Sequence, residues 1–95
     1  MAKLYVTEFR EMNYGAPDVA ALVDQTPVTF TTSTQSAAFA ANTTLVRLHT
    51  DGICSIAFGK NPTATTNNLR LTAGQTEYFA VPPGSSWKVA AVTNT

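Results

Sequence analysis

Hydrophobic and polar residues alternate with a period of two in short runs along most of this chain, and turn-forming residues separate the runs. Residues 3–9 set Leu4, Val6 and Glu8 on one side and Tyr5, Thr7 and Phe9 on the other, which predicts an opening strand at the edge of a sheet. The alternation dissolves over residues 10–26, where Gly15 and Pro17 interrupt it and Pro27 follows. An irregular arm or loop is expected there, lying over the sheet or over a neighbour. Asp18 offers a cap for a short helical turn over residues 19–23 as the alternative. Residues 27–32 resume a strand, with Val28 and Phe30 facing one way and Thr29 and Thr31 the other. Residues 33–43 are small and polar around Phe39 and read as an extended segment anchored by that ring.

The strongest local signal spans residues 44–59, where two runs rich in Val, Ile, Leu and Phe flank Asp51 and Gly52. That pair readily takes the positive φ angles of a two-residue turn, so the stretch predicts a β-hairpin. Such a turn would pair Thr50 with Ile53, His49 with Cys54, Leu48 with Ser55, Arg47 with Ile56 and Leu45 with Phe58. Apolar residues would then lie on both faces, one against the core and one against a partner. A polar loop over residues 60–68 follows, with Asn61 before Pro62 and repeated Thr and Asn. Short strands are expected over residues 68–72, 76–81 and 87–92, with turns at Ala73 and Gly74 and at Pro82, Pro83 and Gly84. Turns at a spacing of about ten residues mark an all-β protein. The expected architecture is a single small β-sandwich or jelly-roll-like barrel of antiparallel strands over residues 1–95, with residues 10–26 as an irregular N-terminal arm.

Ninety-five residues suffice for one core and are too few for two. The composition is 44% hydrophobic and 13% charged with a formal net charge of zero, so the chain has no field to gather nucleic acid or an anionic membrane. Neither is expected as a partner. A surface of Thr, Asn and Ala favours contact with protein, and zero net charge removes the repulsion that keeps small domains apart. A homo-oligomer, trimer or dimer, is expected. The single cysteine, Cys54, excludes an internal disulfide and a Cys-rich zinc site. The opening residues are too short and polar a run for a signal-peptide core or a membrane span, which points to the cytosolic side or to an assembled particle.

Candidate chemistry is sparse. In the expected hairpin His49 and Cys54 share a face, and an imidazole beside a thiol can lower its pKa and take its proton. The pair lacks a third orienting group and oxyanion donors, and free cysteine is commonly an inert core residue, so no catalytic residue is assigned and the chain is read as a non-enzyme. No metal-ligand spacing and no phosphate loop occur, so no metal and no cofactor are expected. Glu8, Glu11, Asp18 and Asp24 read as ordinary solvated residues of turns. Trp87, Tyr78 and Tyr5 could form a platform for sugars, although alternation along the last two strands places most aromatics in the core. Arg47 and Arg70 sit between apolar neighbours on strands, where a charge needs solvent or a partner carboxylate. With the loop residues Lys60, Asn61, Thr63, Thr65 and Thr66, and Tyr14 on the arm, they are the candidate protein-interface residues.

From Thr44 onward the chain resembles small virion-associated proteins of tailed bacteriophages and prophages. The pieces are a VRL strand, ICSIAFG, the PTATT loop, a Leu-x-x-Gly-Gln-Thr-Glu-Tyr-Phe strand and a Pro-Gly turn before the last strand, and the likeness extends to the MAKLYVTEF start. The match is one of β-strand texture, without a catalytic motif. The resemblance implies a capsid decoration or cement protein on the virion surface, made in the host cytoplasm, that bridges subunits of the major capsid protein. A tail or fibre component and a carbohydrate-binding β-sandwich module are the alternatives.

Overall fold

A computed structural model describes residues 2–10, 12–13, 16–17 and 22–94. Eleven strands and no helix occur among them: β1 (Ala2–Phe9), β2 (Met12–Asn13), β3 (Ala16–Pro17), β4 (Val23–Asp24), β5 (Val28–Phe30), β6 (Thr34–Gln35), β7 (Leu45–Thr50), β8 (Cys54–Gly59), β9 (Leu69–Leu71), β10 (Thr76–Ala80) and β11 (Lys88–Thr93). The first sheet runs β10, β7, β1, and both β4 and β5 line the far side of β1. The second runs β6, β11, β8, β9, and every pairing in both sheets is antiparallel. Strands β2 and β3 form a separate short pair. The protein is thus all-β, a small sandwich of two antiparallel sheets.

Alternation explains which side chains meet between the sheets. Leu4, Val6, Val28, Phe30, Val46 and Leu48 come from the first sheet, and Cys54, Ile56, Leu71, Val89 and Ala91 from the second. Phe39 and Val81 join them from connecting segments, and Phe58, Phe79 and Trp87 pack around the margin. The rings of Phe58 and Phe79 lie 5.2 Å apart in a tilted arrangement. Each large aliphatic or aromatic side chain buried here contributes about 1.5–3 kcal/mol relative to exposure. Phe39 anchors an extended segment, as its surroundings in sequence predict, and its N–H donates to the Trp87 carbonyl at 2.8 Å.

Three expectations are overturned. Strand β1 is central, flanked by β7 on one side and by β4 and β5 on the other, because residues remote in sequence supply its second neighbour. Residues 44–59 form no hairpin: β7 belongs to the first sheet and β8 to the second, so the chain crosses between layers at residues 51–53. The predicted pairs, including His49 with Cys54, therefore do not exist. The bend is held by β1 and by Thr50. Lys3 N–H donates to Asp51 Oδ1 at 2.6 Å, Asp51 N–H donates to the Lys3 carbonyl at 3.2 Å, and the Thr50 hydroxyl donates to the Gly52 carbonyl at 2.6 Å. Gly52 is required for close approach rather than for positive φ, which among the described glycines belongs to Gly74 and Gly84. A Cβ on Gly52 would stand 2.5 Å from the Ala2 Cβ.

The third correction concerns Glu8, which is buried rather than solvated. In the arm, residues 23 and 24 form β4 along β1, so the last residue of the expected helical turn is extended. Residues 19–21 of that turn, with Glu11, Tyr14 and Asp18, lie outside the described residues.

Candidate functional site

The sandwich has two outer faces, and they are finished differently. On the second sheet, Ser55 and Ala90 point away from the core side chains Ile56, Val89 and Ala91, yet neither is exposed to solvent. The loop over residues 60–68 crosses that face as a strap. Gln35 Nε2 donates to Asn61 Oδ1 at 2.8 Å and to the Pro62 carbonyl at 2.9 Å, and Ala64 N–H donates to Ser33 Oγ at 2.9 Å. At its far end Asn94 Nδ2 donates to Ser55 Oγ at 2.8 Å and to the Thr66 carbonyl at 3.3 Å. Within the strap, Thr65 N–H donates to Asn68 Oδ1 at 2.7 Å, closing a turn. Pro62 and Ala64 are buried under it, while Lys60, Asn61, Thr63, Thr65 and Thr66 are exposed on top.

Among the described residues, no such cover lies over the middle of the first sheet. Antiparallel register lays Asp24, Thr7, Arg47 and Tyr78 in one row across β4, β1, β7 and β10, and Tyr5, His49 and Thr76 in the next. Core residues Val6, Val46 and Leu48 alternate with them, so these side chains face outward. Tyr5 is 39% and Tyr78 46% exposed. The Tyr5 and His49 rings lie 6.2 Å apart, and His49 Nδ1 is 2.7 Å from the Thr76 hydroxyl. Phe9 and Leu45 are buried at one end of this face.

The sequence-predicted interface residues therefore divide. Arg47 lies on the open face of the first sheet; the five loop residues lie on the strap over the second; Arg70 is exposed on edge strand β9, opposite Ser55. Tyr14 lies outside the described residues. The strap's in-and-out pattern is legible as alternation in Asn61 to Thr65, where Pro62 and Ala64 are the apolar members. Nothing local marks Gln35 and Asn94 as its fastenings.

The fold separates the residues that the sequence suggested for chemistry. Cys54 is fully buried in the core, its thiol donating to Thr50 Oγ1 at 3.7 Å, and burial raises its pKa above the ordinary value despite that hydroxyl. A raised thiol pKa in a closed site is the opposite of what a nucleophile needs. His49 points outward from the other sheet. Trp87 packs against the core margin, away from Tyr5 and Tyr78, so the three do not make one platform. A cleft of about 410 Å³ opens between the β4–β5 edge and β6, lined by Val23, Gln25, Pro27, Thr29, Thr34 and Ala37 among others, without an ionisable side chain. Among the described residues no group of three or more His, Cys, Asp or Glu gathers that could hold a metal ion. Nor does any helix there reach the length and apolarity needed to cross a membrane.

No protein-family model, curated protein or solved structure matches the chain.

Proposed function

We propose that this chain is a non-enzymatic structural protein of a virion, a capsid decoration or cement protein that binds the major capsid protein through the strap over residues 60–68. The observation that carries this reading is the strap itself. Its exposed Asn and Thr side chains form a hydrogen-bonding surface of low charge, fixed in place before any partner arrives. Preorganisation lowers the entropy lost on binding, and few ions means little desolvation to overcome in a permanent contact. The resemblance of residues 44–95 to virion-associated proteins supplies the partner. Stabilisation then follows from mass action: a protein that binds only the assembled lattice lowers its free energy at each of many sites.

The test is copy number and rebinding. Purified particles are expected to carry the chain in numbers comparable to the major capsid protein, and particles stripped of it are expected to rebind the isolated protein. Thr63→Asp combined with Thr65→Asp should weaken rebinding by about tenfold or more while leaving the fold intact, since each mutation sets an unpaired charge in a contact that excludes water. Absence of the chain from particles would overturn the reading. A few copies at one vertex or along the tail would replace it with a tail or fibre role.

A further inference from the structure

The open face of the first sheet has a property that the strapped face lacks. Asp24 on β4 and Arg47 on β7 occupy the same row and sit on either side of Thr7 on β1. Neighbouring strands are ~4.8 Å apart, so the carboxylate-bearing and guanidinium-bearing strands are offset by about the same distance to left and right of β1. Asp24, Leu22, Tyr5 and Tyr78 are exposed, and Thr7 and Arg47 within the row are half-buried.

We propose that this face is where two copies of the chain meet, about a two-fold axis that runs along β1. Rotation by half a turn about that axis carries β4 of one copy over β7 of the other. Arg47 then faces Asp24 of the partner subunit, Asp24 faces Arg47 of the partner subunit, and Thr7 and Tyr5 meet their own counterparts at the axis. Both ion pairs form from a single surface, which is the self-complementarity that a two-fold interface requires. A uniformly acidic or basic partner would meet one of the two charges with the wrong sign, whereas a second copy meets both with the right one. The formal net charge of zero imposes no long-range repulsion between copies. Tyr and Arg are the side chains that interfaces favour, and aligned stacking of sheets is an ordinary packing mode. Four strands at ~4.8 Å and about five residues at ~3.3 Å give a footprint of only ~300 Å² per copy before side-chain relief. Two copies then bury about 600 Å² in all, below the ~1,000 Å² of a stable interface, so the dimer is weak and transient and forms only with rising concentration.

This inference concerns the isolated chain and the face opposite the strap, so it succeeds or fails independently of the capsid reading. Sedimentation or light scattering across ~10 µM to ~1 mM is the test. The wild-type chain should pass from monomer to dimer within that range. Arg47→Glu and Asp24→Lys should each set like charges together twice and weaken association by about tenfold or more. Mixed in equal amounts, the two variants should recover a dimer, since each then supplies the sign the other needs. Thr7→Arg, which places two cations against each other at the axis, should abolish association. Circular dichroism confirms that each variant is folded. A wild-type chain that stays monomeric to the top of the range, a folded Thr7→Arg that still dimerises, or a mixture that does not recover the dimer would each overturn the proposal.

Discussion

Glu8 sits on the core-facing side of β1, in line with Leu4 and Val6, and is 1% exposed. Its carboxylate accepts from Ala40 N–H at 2.7 Å, from the Thr43 hydroxyl at 2.6 Å and from Gln25 Nε2 at 2.7 Å. One acid thus ties β1 to Gln25, at the end of β4, and to the strandless segment that carries Ala40 and Thr43. Gln25 extends the tie, donating to the Ala37 carbonyl and accepting from Ala37 N–H, each at 3.2 Å. Glu8→Ala would leave buried donors without an acceptor and should lower the unfolding free energy by about 2–4 kcal/mol in denaturant titration. Gln25→Ala should cost less in the Glu8→Ala background than in the wild type, because the two act as one network. Cys54 makes a prediction of a different kind. Burial holds its thiol neutral, with a pKa above the ordinary 9.0. The unfolded chain therefore releases that proton at lower pH than the folded one, and stability is full below about pH 9 and falls as pH rises toward the folded value. Comparing denaturant midpoints near neutrality with those at alkaline pH should show a steeper alkaline loss in the wild type than in Cys54→Ala, and native Cys54 should react slowly with a thiol reagent. Equal slopes would remove this account.

At the scale of elements, two connections decide the molecule. The crossing at residues 51–53 sends β7 and β8 into different layers, and its cause is the competition between a local turn and β1. Asp51 gives both a backbone donor and a side-chain acceptor to Lys3, and the absence of a side chain on Gly52 lets Ala2 pass close by. A two-residue hairpin would forgo those bonds and would leave one apolar face of each strand in water. The strap is the second. Gln35 on β6 fastens its start by two hydrogen bonds. Gln35→Ala should lower global stability by under about 1 kcal/mol, since the loop end can hydrate. Amide exchange should report the change locally: Ala64 N–H, protected through Ser33, should exchange about tenfold faster while amides of β1 and β7 hardly change. Unaltered exchange at Ala64 would show that the strap holds without Gln35.

At the scale of the whole molecule, the sandwich presents a strapped face and an open one, and each of the two proposals rests on one of them. Variants at Thr63 and Thr65 therefore read a different surface from variants at Arg47 and Asp24. The all-β class and the approximate places of β1, β5 and β7 to β11 were legible in the sequence, because alternation and turn residues are local properties of the chain. So were the inward sets Val28 with Phe30 and Val89 with Ala91, and the glycine turns at Gly74 and Gly84. Pairing was not legible. Whether β7 meets β8 or instead meets β1 and β10 depends on burying every apolar face at once, a sum over residues 27 to 46 positions apart that no short stretch contains. The same limit hid the burial of Glu8, whose donors at 25, 40 and 43 carry no common spacing, and the row that sets Asp24 across from Arg47. By itself the sequence determined the strands and which side of each is apolar. Tertiary structure alone decided which strands are neighbours, and with that which polar side chains share a surface, because register between remote segments is settled by the packed core.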